Sequence, residues 1–247
     1  MERRLFLQKS GIISLALTLL PSLSFAQWQD QEKDYSTEEL MGKSDIELFG
    51  KDINLVKEAH DAFIEMKRAA YRSGIDLKIV SSYRSFARQQ VIFERKFINY
   101  TDNDMSPLDA ISKITEYSTI PGTSRHHWGT DIDVIDGYKK IDGDVLDPEK
   151  YGECQPFYDF KKWMDENSEK FGFFLVYTDN PRRKGFKYEP WHYSYAPISI
   201  PMLKAFRDKD IMQLYQKESF VGSEHFNSGF LITYIADNIL DINPKLL

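Results

Sequence analysis

The sequence predicts an α+β domain in which helices flank a mainly antiparallel sheet, with an added C-terminal helical segment. Segments of helical periodicity and segments of strand character do not alternate as βαβ units, which argues against a parallel sheet. The chain has 247 residues, of which 42% are hydrophobic, and is long enough to bury one core. Its 17 Phe, 14 Tyr and 4 Trp argue against disorder.

The first predicted element is a helix over 54–72, where apolar residues recur at helical spacing until Ser73 and Gly74 end the segment. The next elements are a strand, two helices and a second strand, expected over 77–82, 86–97, 107–117 and 132–135. The third helix has a proline near its first turn, a position that proline favours.

The second half of the chain is predicted to contain a helix, two strands and two further helices, over 156–171, 173–177, 188–195, 200–216 and 226–240. Gly172 ends the first of these helices, and Pro190 places the second strand at a sheet edge or bulge. The last two helices carry apolar stripes typical of a packing face rather than of a partner-binding helix. We therefore expect 199–247 to be an extension that packs on a domain spanning 51–198.

Residues 1–26 have the three parts of a secretory signal peptide. Three positive side chains precede an uncharged apolar run over 11–20, and the small residues Ser24 and Ala26 fit a cleavage site. The run is too short for a permanent membrane span and Pro21 interrupts it, so an uncleaved anchor is the less favoured alternative. The sequence thus predicts export to the periplasm or cell envelope.

The start of the chain also resembles a twin-arginine signal, whose cargo crosses the membrane already folded. Arg3 and Arg4 precede Leu5-Phe6-Leu7, and the Phe-Leu pair favours this route over an ordinary Sec signal. Residues 27–50 are polar and acidic, and we expect them to form a poorly ordered lead-in.

Charge and cysteine content exclude several kinds of partner and site. The formal net charge is −6, and no basic stripe that would follow a phosphate backbone is present, so no nucleic-acid partner is expected. Cys154 is the only cysteine, which excludes an intramolecular disulfide and a zinc site built on thiolates. Any metal must be held by histidines and carboxylates.

Three of the five histidines fall in two short segments, 124–133 (SRHHWGTDID) and 189–192 (EPWH). Zinc in a hydrolase takes three protein ligands and keeps one position open for water, which a carboxylate beside it can deprotonate. Each segment alone also fits a structural histidine or an ordinary strand, but together they supply complementary parts of one site. Asp131 and Asp133 point to the same side of a strand, so spacing leaves both open as ligands, and His127 competes with its neighbour.

A third segment, Ser81-Ser82-Tyr83-Arg84-Ser85, lies at the end of the strand predicted over 77–82. The motifs Ser-x-Tyr-Arg-Ser, Ser-x-His-x-x-Gly-x-x-x-Asp and Glu-x-Trp-His together resemble those of the VanY-like D-alanyl-D-alanine metallocarboxypeptidases. That family belongs to a wider group with lysostaphin and the hedgehog amino-terminal domain. The resemblance covers roughly 55–196 and implies a hedgehog/D-Ala-D-Ala-peptidase-like fold with one zinc ion (Zn2+) per chain.

The resemblance also implies the role of each residue in the metal site. The family's motif histidines and aspartate bind zinc, which implies His126, Asp133 and His192 here. The glutamate of Glu-x-Trp-His is the family's general base, which implies Glu189. The chain departs from the family at Asp131, where relatives have a small apolar residue, and we expect Asp131 to support a ligand histidine.

Three residues are implied on the substrate side: Arg84, Gln90 and Ser124. Arg84 would grip the terminal carboxylate of the substrate or stabilise the oxyanion, both suited to a planar guanidinium, and a surface salt bridge is the alternative. The family motif is followed by a glutamine, which here would be either Gln89 or Gln90. Where many relatives have an arginine two residues after the second ligand histidine, this chain has Ser194.

The implied function is hydrolysis of a D-Ala-D-Ala-type bond in peptidoglycan stem peptides by a monomeric zinc carboxypeptidase. L,D-carboxypeptidases and endopeptidases use the same zinc apparatus and stay open as alternatives. A module that binds the cell wall without cutting it is another, although Glu189 argues against it. The predicted signal peptide disfavours a cytoplasmic D,D-dipeptidase. The basic cluster 182–184 is expected to lie on a solvated loop rather than to meet anionic wall polymer.

Overall fold

A four-stranded antiparallel sheet in the order β1-β2-β4-β3 is the framework of the fold. The strands are β1 (Leu77–Ser81), β2 (Asp131–Asp136), β3 (Phe173–Leu175) and β4 (His192–Tyr195). The computed structural model describes residues 34–247, and the predicted signal peptide lies outside the described residues. Between residues 34 and 247, no helix is both long enough and apolar enough to cross a membrane. The predicted α+β class with an antiparallel sheet is confirmed.

Helices pack on this sheet, and serine side chains begin several of them. Ser36, Ser85 and Ser106 each accept a hydrogen bond from the backbone N–H three residues further on, which caps the first turn. The described part of the chain contains eight α-helices: α1 (Thr37–Leu40), α2 (Lys57–Arg72), α3 (Phe86–Thr101), α4 (Pro107–Ile114), α5 (Tyr158–Asn167), α6 (Ala196–Arg207), α7 (Ile211–Tyr215) and α8 (Ser228–Tyr234).

The segment expected as a poorly ordered lead-in over 27–50 is ordered where the structure describes it. Tyr35, Leu40 and Met41 are buried in one of the two core clusters. The indole Nε1 of Trp128 donates a hydrogen bond to the Leu40 carbonyl at 3.1 Å. The few apolar side chains of this acidic segment therefore decide its structure, because they find a core in which to be buried.

Local interruptions shorten several predicted elements. The helix predicted over 200–216 is two helices, because Asp210 caps the N-terminus of α7 with its side chain. The helix predicted over 226–240 is α8 followed by one π-helical turn, Ile235–Ile239. The strand predicted over 188–195 keeps only its last four residues as β4.

Alternation along β2 and β4 gives the sheet one apolar and one polar face. Ile132, Val134 and Tyr193 join the core cluster that contains the buried sides of α2 and α5. Side chains at the intervening positions point to the opposite face. On that face the strand register places two polar pairs side by side, Asp131 with Ser194 and Asp133 with His192.

The C-terminal extension supports the loop that leads into Ser124. Tyr234 is buried, and its hydroxyl accepts the Ile120 N–H at 3.1 Å and lies 3.0 Å from Oγ1 of Thr123. Because the Thr123 hydroxyl donates to the Ile120 carbonyl at 2.9 Å, Tyr234 is the donor to Thr123. Asn238 adds a bond from Nδ2 to the backbone carbonyl of residue 115 at 3.1 Å.

Replacing Tyr234 by phenylalanine is expected to lower the free energy of unfolding by about 1–3 kcal/mol, because the buried Ile120 N–H loses its partner. Urea denaturation followed by circular dichroism measures the change. Tyr158→Phe is the matched control, since Tyr158 is 39% exposed, and we expect a change within about 0.5 kcal/mol. Equal stability of the two variants would contradict this role of Tyr234.

Candidate metal centre

A tight turn at the start of β4 brings Glu189 and His192 together. The His192 N–H donates to the Glu189 carbonyl at 3.1 Å, and Pro190 fixes φ at the second residue of the turn. Trp191 is buried in the core, and its carbonyl accepts the Val134 N–H at 3.0 Å, which ties the turn to β2. Each residue of the Glu-Pro-Trp-His segment thus has a structural reason for its position.

The other motif forms a 3₁₀ turn, Arg125–Trp128, that leads into β2. Ser124 begins the turn, since its Oγ accepts the His126 N–H at 3.3 Å. Gly129 ends it with φ of +66°, and a Cβ on Gly129 would lie 3.1 Å from Cγ1 of Val56. Glycine is therefore favoured at this position both by backbone conformation and by space. The turn carries His126 to the polar face of the sheet.

His126, Asp133 and His192 form the candidate metal centre. Each offers one ligand atom, and these atoms lie within 4.8 Å of one another. Nε2 of His126 is 3.4 Å from Oδ2 of Asp133, and Nδ1 of His192 is 3.8 Å from Oδ1 of Asp133. Asp133 lies opposite His192 in the β2–β4 register, so the sheet itself sets their separation. All three side chains are buried.

The donor set of this centre fits a zinc ion. Two imidazoles and one carboxylate are the ligands of a hydrolytic zinc site that keeps a fourth position open. Oδ1 of Asp133 is buried and has no hydrogen-bond partner among residues 34–247. Buried polar atoms in folded proteins nearly always have a partner, and a cation between the three side chains supplies one.

Glu189 lies at the edge of the metal centre. Its Oε2 is 2.9 Å from Nδ1 of His192, the ring nitrogen that faces Asp133. Burial raises the pKa of Glu189, and the hydrogen bond with His192 opposes this shift only in part. A carboxylate with a raised pKa beside an open metal position is suited to take a proton from water and return it.

Asp131 contacts His192 from the side away from the metal centre. Its Oδ2 is 3.0 Å from Nε2 of His192, so Nδ1 is the nitrogen left for a metal. Burial raises the pKa of Asp131, but Arg125 and His192 outweigh it, and the net shift is downward. Asp131 therefore lies behind His192, whereas Asp133 lies within the candidate metal centre.

Sequence reasoning missed Arg125, which balances the charge of Asp131. The Arg125 Nε donates to Oδ2 of Asp131 at 3.0 Å, and Nη2 donates to Oγ of Ser194 at 2.7 Å. Arg125 is only 2% exposed, and a buried carboxylate requires such a partner. The available signal was Asp131, one of the two positions at which the sequence departs from the family pattern that it resembles. Ser194, the other position, donates to Oδ1 of Asp131 at 2.6 Å.

His127 lies outside the metal centre, because both of its ring nitrogens contact the backbone. Nε2 accepts the Gly122 N–H at 3.1 Å, and Nδ1 faces the carbonyl of Arg84. Burial lowers the pKa of His127 to about 3, so the ring is neutral and Nδ1 is the donor. These contacts decide between His126 and His127, which spacing alone left open.

Arg84 follows β1 and lies next to the metal centre. Its backbone N–H donates to the His126 carbonyl at 3.0 Å. Its guanidinium donates from Nη1 to Oε1 of Gln89 at 2.7 Å and from Nη2 to Oγ of Ser81 at 2.9 Å. Within the described chain Arg84 forms none of the ion pairs that other surface cations form, so the alternative of a surface salt bridge is not supported.

The structure does not bring Gln90 to the site. Nε2 of Gln90 donates to Oε1 of Glu94 at 3.0 Å, on another side of α3. Gln89 is the buried glutamine, and its Nε2 donates to the Thr119 carbonyl at 2.7 Å while its Oε1 holds Arg84. Gln89 therefore positions the guanidinium, and Gln90 has no contact with it.

A cleft of about 700 Å³ opens over the metal centre. Arg84, Ser124 and Glu189 line it together with the three metal-centre residues. The sequence-predicted site residues, apart from Gln90, therefore surround one cavity.

In the basic cluster 182–184, Arg182 and Lys184 are exposed, as expected for a solvated loop, whereas Arg183 is half-buried. The guanidinium of Arg183 donates to three backbone carbonyls, those of Thr178 at 2.9 Å, Phe186 at 2.9 Å and Asp241 at 2.8 Å. Arg183 thus links this loop to the C-terminal extension. Nothing in the composition of the cluster indicated which carbonyls would accept these bonds.

Comparison with known proteins gives a consistent result. The family model described as D-alanyl-D-alanine carboxypeptidase (VanY) matches residues 52–198. YodJ of Bacillus subtilis is 34% identical over 156 residues, which are 63% of this chain and 50% of YodJ. A D-alanyl-D-alanine carboxypeptidase of Enterococcus faecalis is 30% identical over 132 residues, 53% of this chain and 44% of that protein. The chain spans about half the length of these curated relatives.

The chain is also similar to a solved structure, VanYB in complex with D-alanine-D-alanine. The alignment covers 72% of this chain and 92% of the VanYB chain. Its TM-score is 0.51 and its sequence identity 23%, a likeness that shows the shared fold. The family match ends at residue 198, so α7, α8 and most of α6 lie beyond it.

Proposed function

The chain belongs to the VanY family of D-alanyl-D-alanine carboxypeptidases, and on that premise we propose that it is a zinc-dependent carboxypeptidase of peptidoglycan stem peptides. The proposed reaction removes the terminal residue from a D-Ala-D-Ala-type end. One observation supports the proposal above all: His126, Asp133, His192 and Glu189 lie together and line a single cleft. The relative from Enterococcus faecalis bears the name of the same activity.

The chemistry divides between the ion and the protein. Zinc held by His126, Asp133 and His192 supplies Lewis-acid activation of the scissile carbonyl and of water. Glu189 accepts a proton from the attacking water at its carboxylate as the water oxygen bonds to the carbonyl carbon. The same carboxyl group then delivers that proton to the leaving amine as the carbon–nitrogen bond breaks. The raised pKa of Glu189 suits both steps, since the group must release the proton it has taken.

The position of Arg84 favours carboxypeptidase activity over endopeptidase activity, because its guanidinium can pair with the terminal carboxylate of the substrate. A guanidinium has five N–H donors, and the contacts with Gln89 and Ser81 use two of them. Those contacts hold the plane of Arg84 so that the remaining donors can bind a carboxylate bidentately. Ser124, which lines the same cleft, is proposed to contact the substrate peptide.

Export to the periplasm or cell envelope forms part of the same proposal. Residues 1–26 contain a positively charged start, an apolar run and a cleavage site, the three parts of a signal peptide. The charged start includes two adjacent arginines. The proposed substrate occurs in the cell wall, so an exported enzyme would meet it directly.

The experiment incubates purified protein of known zinc content with pentapeptide and tetrapeptide muropeptides and identifies the products by mass. We expect the pentapeptide to lose one alanine and the tetrapeptide to remain intact. Loss of alanine from the tetrapeptide instead would indicate an L,D-carboxypeptidase. Binding to cell-wall sacculi without any cleavage would contradict an enzymatic function.

A further inference from the structure

One wall of the cleft over the metal centre is basic. Arg88, Arg95 and Lys96, here called the basic wall, line the cleft together with the metal-centre residues. All three belong to α3. Ile92 stands four residues from Arg88 and from Lys96 and three residues from Arg95, so these four side chains cover a sector of about 100° around the helix axis, and all of them line the cleft. The formal net charge of the chain is −6, so this accumulation of cations runs against the overall balance.

The basic wall differs from other cations on the helices of this chain. Lys57, Arg68 and Lys161 each pair with a carboxylate one helical turn away. The basic-wall side chains have no such partner among residues 34–247. The positions three and four residues away from them within α3 carry Val, Ile, Phe, Asn or Tyr, none of which is acidic. Cations that line a cleft without an acidic partner can bind an anion from solution.

Lys96 lies close to the other cations of the cleft. It is partly buried, and burial lowers its pKa, with Arg84 and Arg95 lowering it further against the opposing charges of Glu189 and Asp144. Asp144 and Asp147 also line the cleft, and the Oδ1 of each accepts a backbone N–H, from residue 146 at 2.9 Å and from residue 149 at 3.1 Å. A bound anion would relieve the repulsion that Arg84 and Arg95 exert on Lys96.

The length of the basic wall indicates where the anion lies on the substrate. Arg88 and Lys96 are eight residues apart, about 12 Å along the helix axis. An extended peptide covers about 3.3–3.6 Å per residue, so the wall can follow about three residues of substrate. A carboxypeptidase substrate ends one residue beyond the scissile bond, where Arg84 takes its terminal carboxylate. Any second carboxylate must therefore lie on the acyl side.

We propose that the basic wall binds a side-chain carboxylate on the acyl side of the scissile bond, and that the substrate class is an acidic peptide with at least two carboxylates. This inference rests on the proposed function, because it assigns the terminal carboxylate to Arg84. Arg88 and Arg95 supply planar donors that match a carboxylate, and Lys96 adds a point charge. The basic wall thus contributes to substrate selection and leaves the chemistry to Glu189 and the metal centre.

Two synthetic peptides test this, Ac-Gly-Glu-D-Ala-D-Ala and its neutral counterpart Ac-Gly-Gln-D-Ala-D-Ala. With the zinc-loaded protein we expect a KM about tenfold lower for the glutamate peptide, the effect of one or two charge-assisted contacts. In Arg88→Gln/Arg95→Gln the KM ratio should fall to about one. The matched control is Arg72→Gln/Arg207→Gln, which removes two exposed helix arginines outside the cleft and should keep the tenfold ratio.

A KM ratio near one for the unmodified protein would overturn the proposal, as would an unaltered ratio in Arg88→Gln/Arg95→Gln. If neither peptide were hydrolysed, the proposed function would fail, and calorimetry of both peptides with the zinc-loaded protein would still decide the role of the basic wall. About tenfold tighter binding of the glutamate peptide, lost in Arg88→Gln/Arg95→Gln, supports it. Equal affinities, or no binding of either peptide, contradict it.

Discussion

Replacing Glu189 by glutamine is expected to reduce kcat by about 10²- to 10⁴-fold while zinc stays bound. The amide keeps the shape of the side chain but cannot accept a proton from water. The metal centre itself is unchanged, because Glu189 contacts His192 without being one of the three clustered ligands. Turnover of a D-Ala-D-Ala peptide gives kcat, and elemental analysis gives the zinc content per chain. Glu189→Ala should show the same loss of turnover with zinc retained.

Glu153→Gln is the control for this experiment, since Glu153 is exposed and lies outside the cleft. We expect its kcat to match that of the unmodified protein. A Glu189→Gln variant that kept full activity would exclude Glu189 as the base. Loss of zinc from that variant would instead make Glu189 a metal ligand, which the geometry does not predict.

Asp133→Ala is expected to weaken zinc binding by more than 100-fold, whereas Asp131→Asn should weaken it by about 10- to 100-fold, the effect typical of a residue that supports a ligand. Asp133 offers an unpartnered oxygen to the centre. Asp131 contacts the metal centre only through Nε2 of His192. Competition with a zinc chelator measures both affinities without any reference to activity.

The Asp131→Asn variant requires a second variant as its control, because it leaves the buried guanidinium of Arg125 without a carboxylate partner. In Arg125→Gln/Asp131→Asn both charges are absent, so the unfolding free energy should recover while the loss of zinc affinity remains. A larger loss of zinc affinity in Asp131→Asn than in Asp133→Ala would reverse the assignment of the ligand.

The motif residues were predictable because each motif is built by a local turn. Pro190 sets the turn that joins Glu189 to His192, and Gly129 ends the turn that carries His126. Such turns depend on a few neighbouring residues, which the sequence displays directly. The family likewise follows from those motifs, and the match over residues 52–198 confirms the resemblance.

Helix phase and buried partners were beyond sequence reasoning. Gln89 and Gln90 are adjacent in sequence, yet about 100° apart around the axis of α3, so only one of them can face Arg84. The lead-in shows the same limit, because the burial of Leu40 depends on Trp128, far along the chain. The apolar stripes of the extension predicted a packing face, but not that Tyr234 would hold the backbone of Ile120.

By itself, the sequence determined the antiparallel α+β class and the family, and it predicted a zinc donor set made of two histidines and a carboxylate with Glu189 as its base. The family resemblance implied Asp133 as the ligand, but strand spacing left Asp131 and Asp133 equivalent, and only the tertiary structure gives the contacts that distinguish them. The β2–β4 register sets Asp133 beside His192 at the metal centre and leaves Asp131 to contact its far nitrogen with Arg125. The physical reason is that both aspartates occupy the same face of one strand, so only the partner strand distinguishes them.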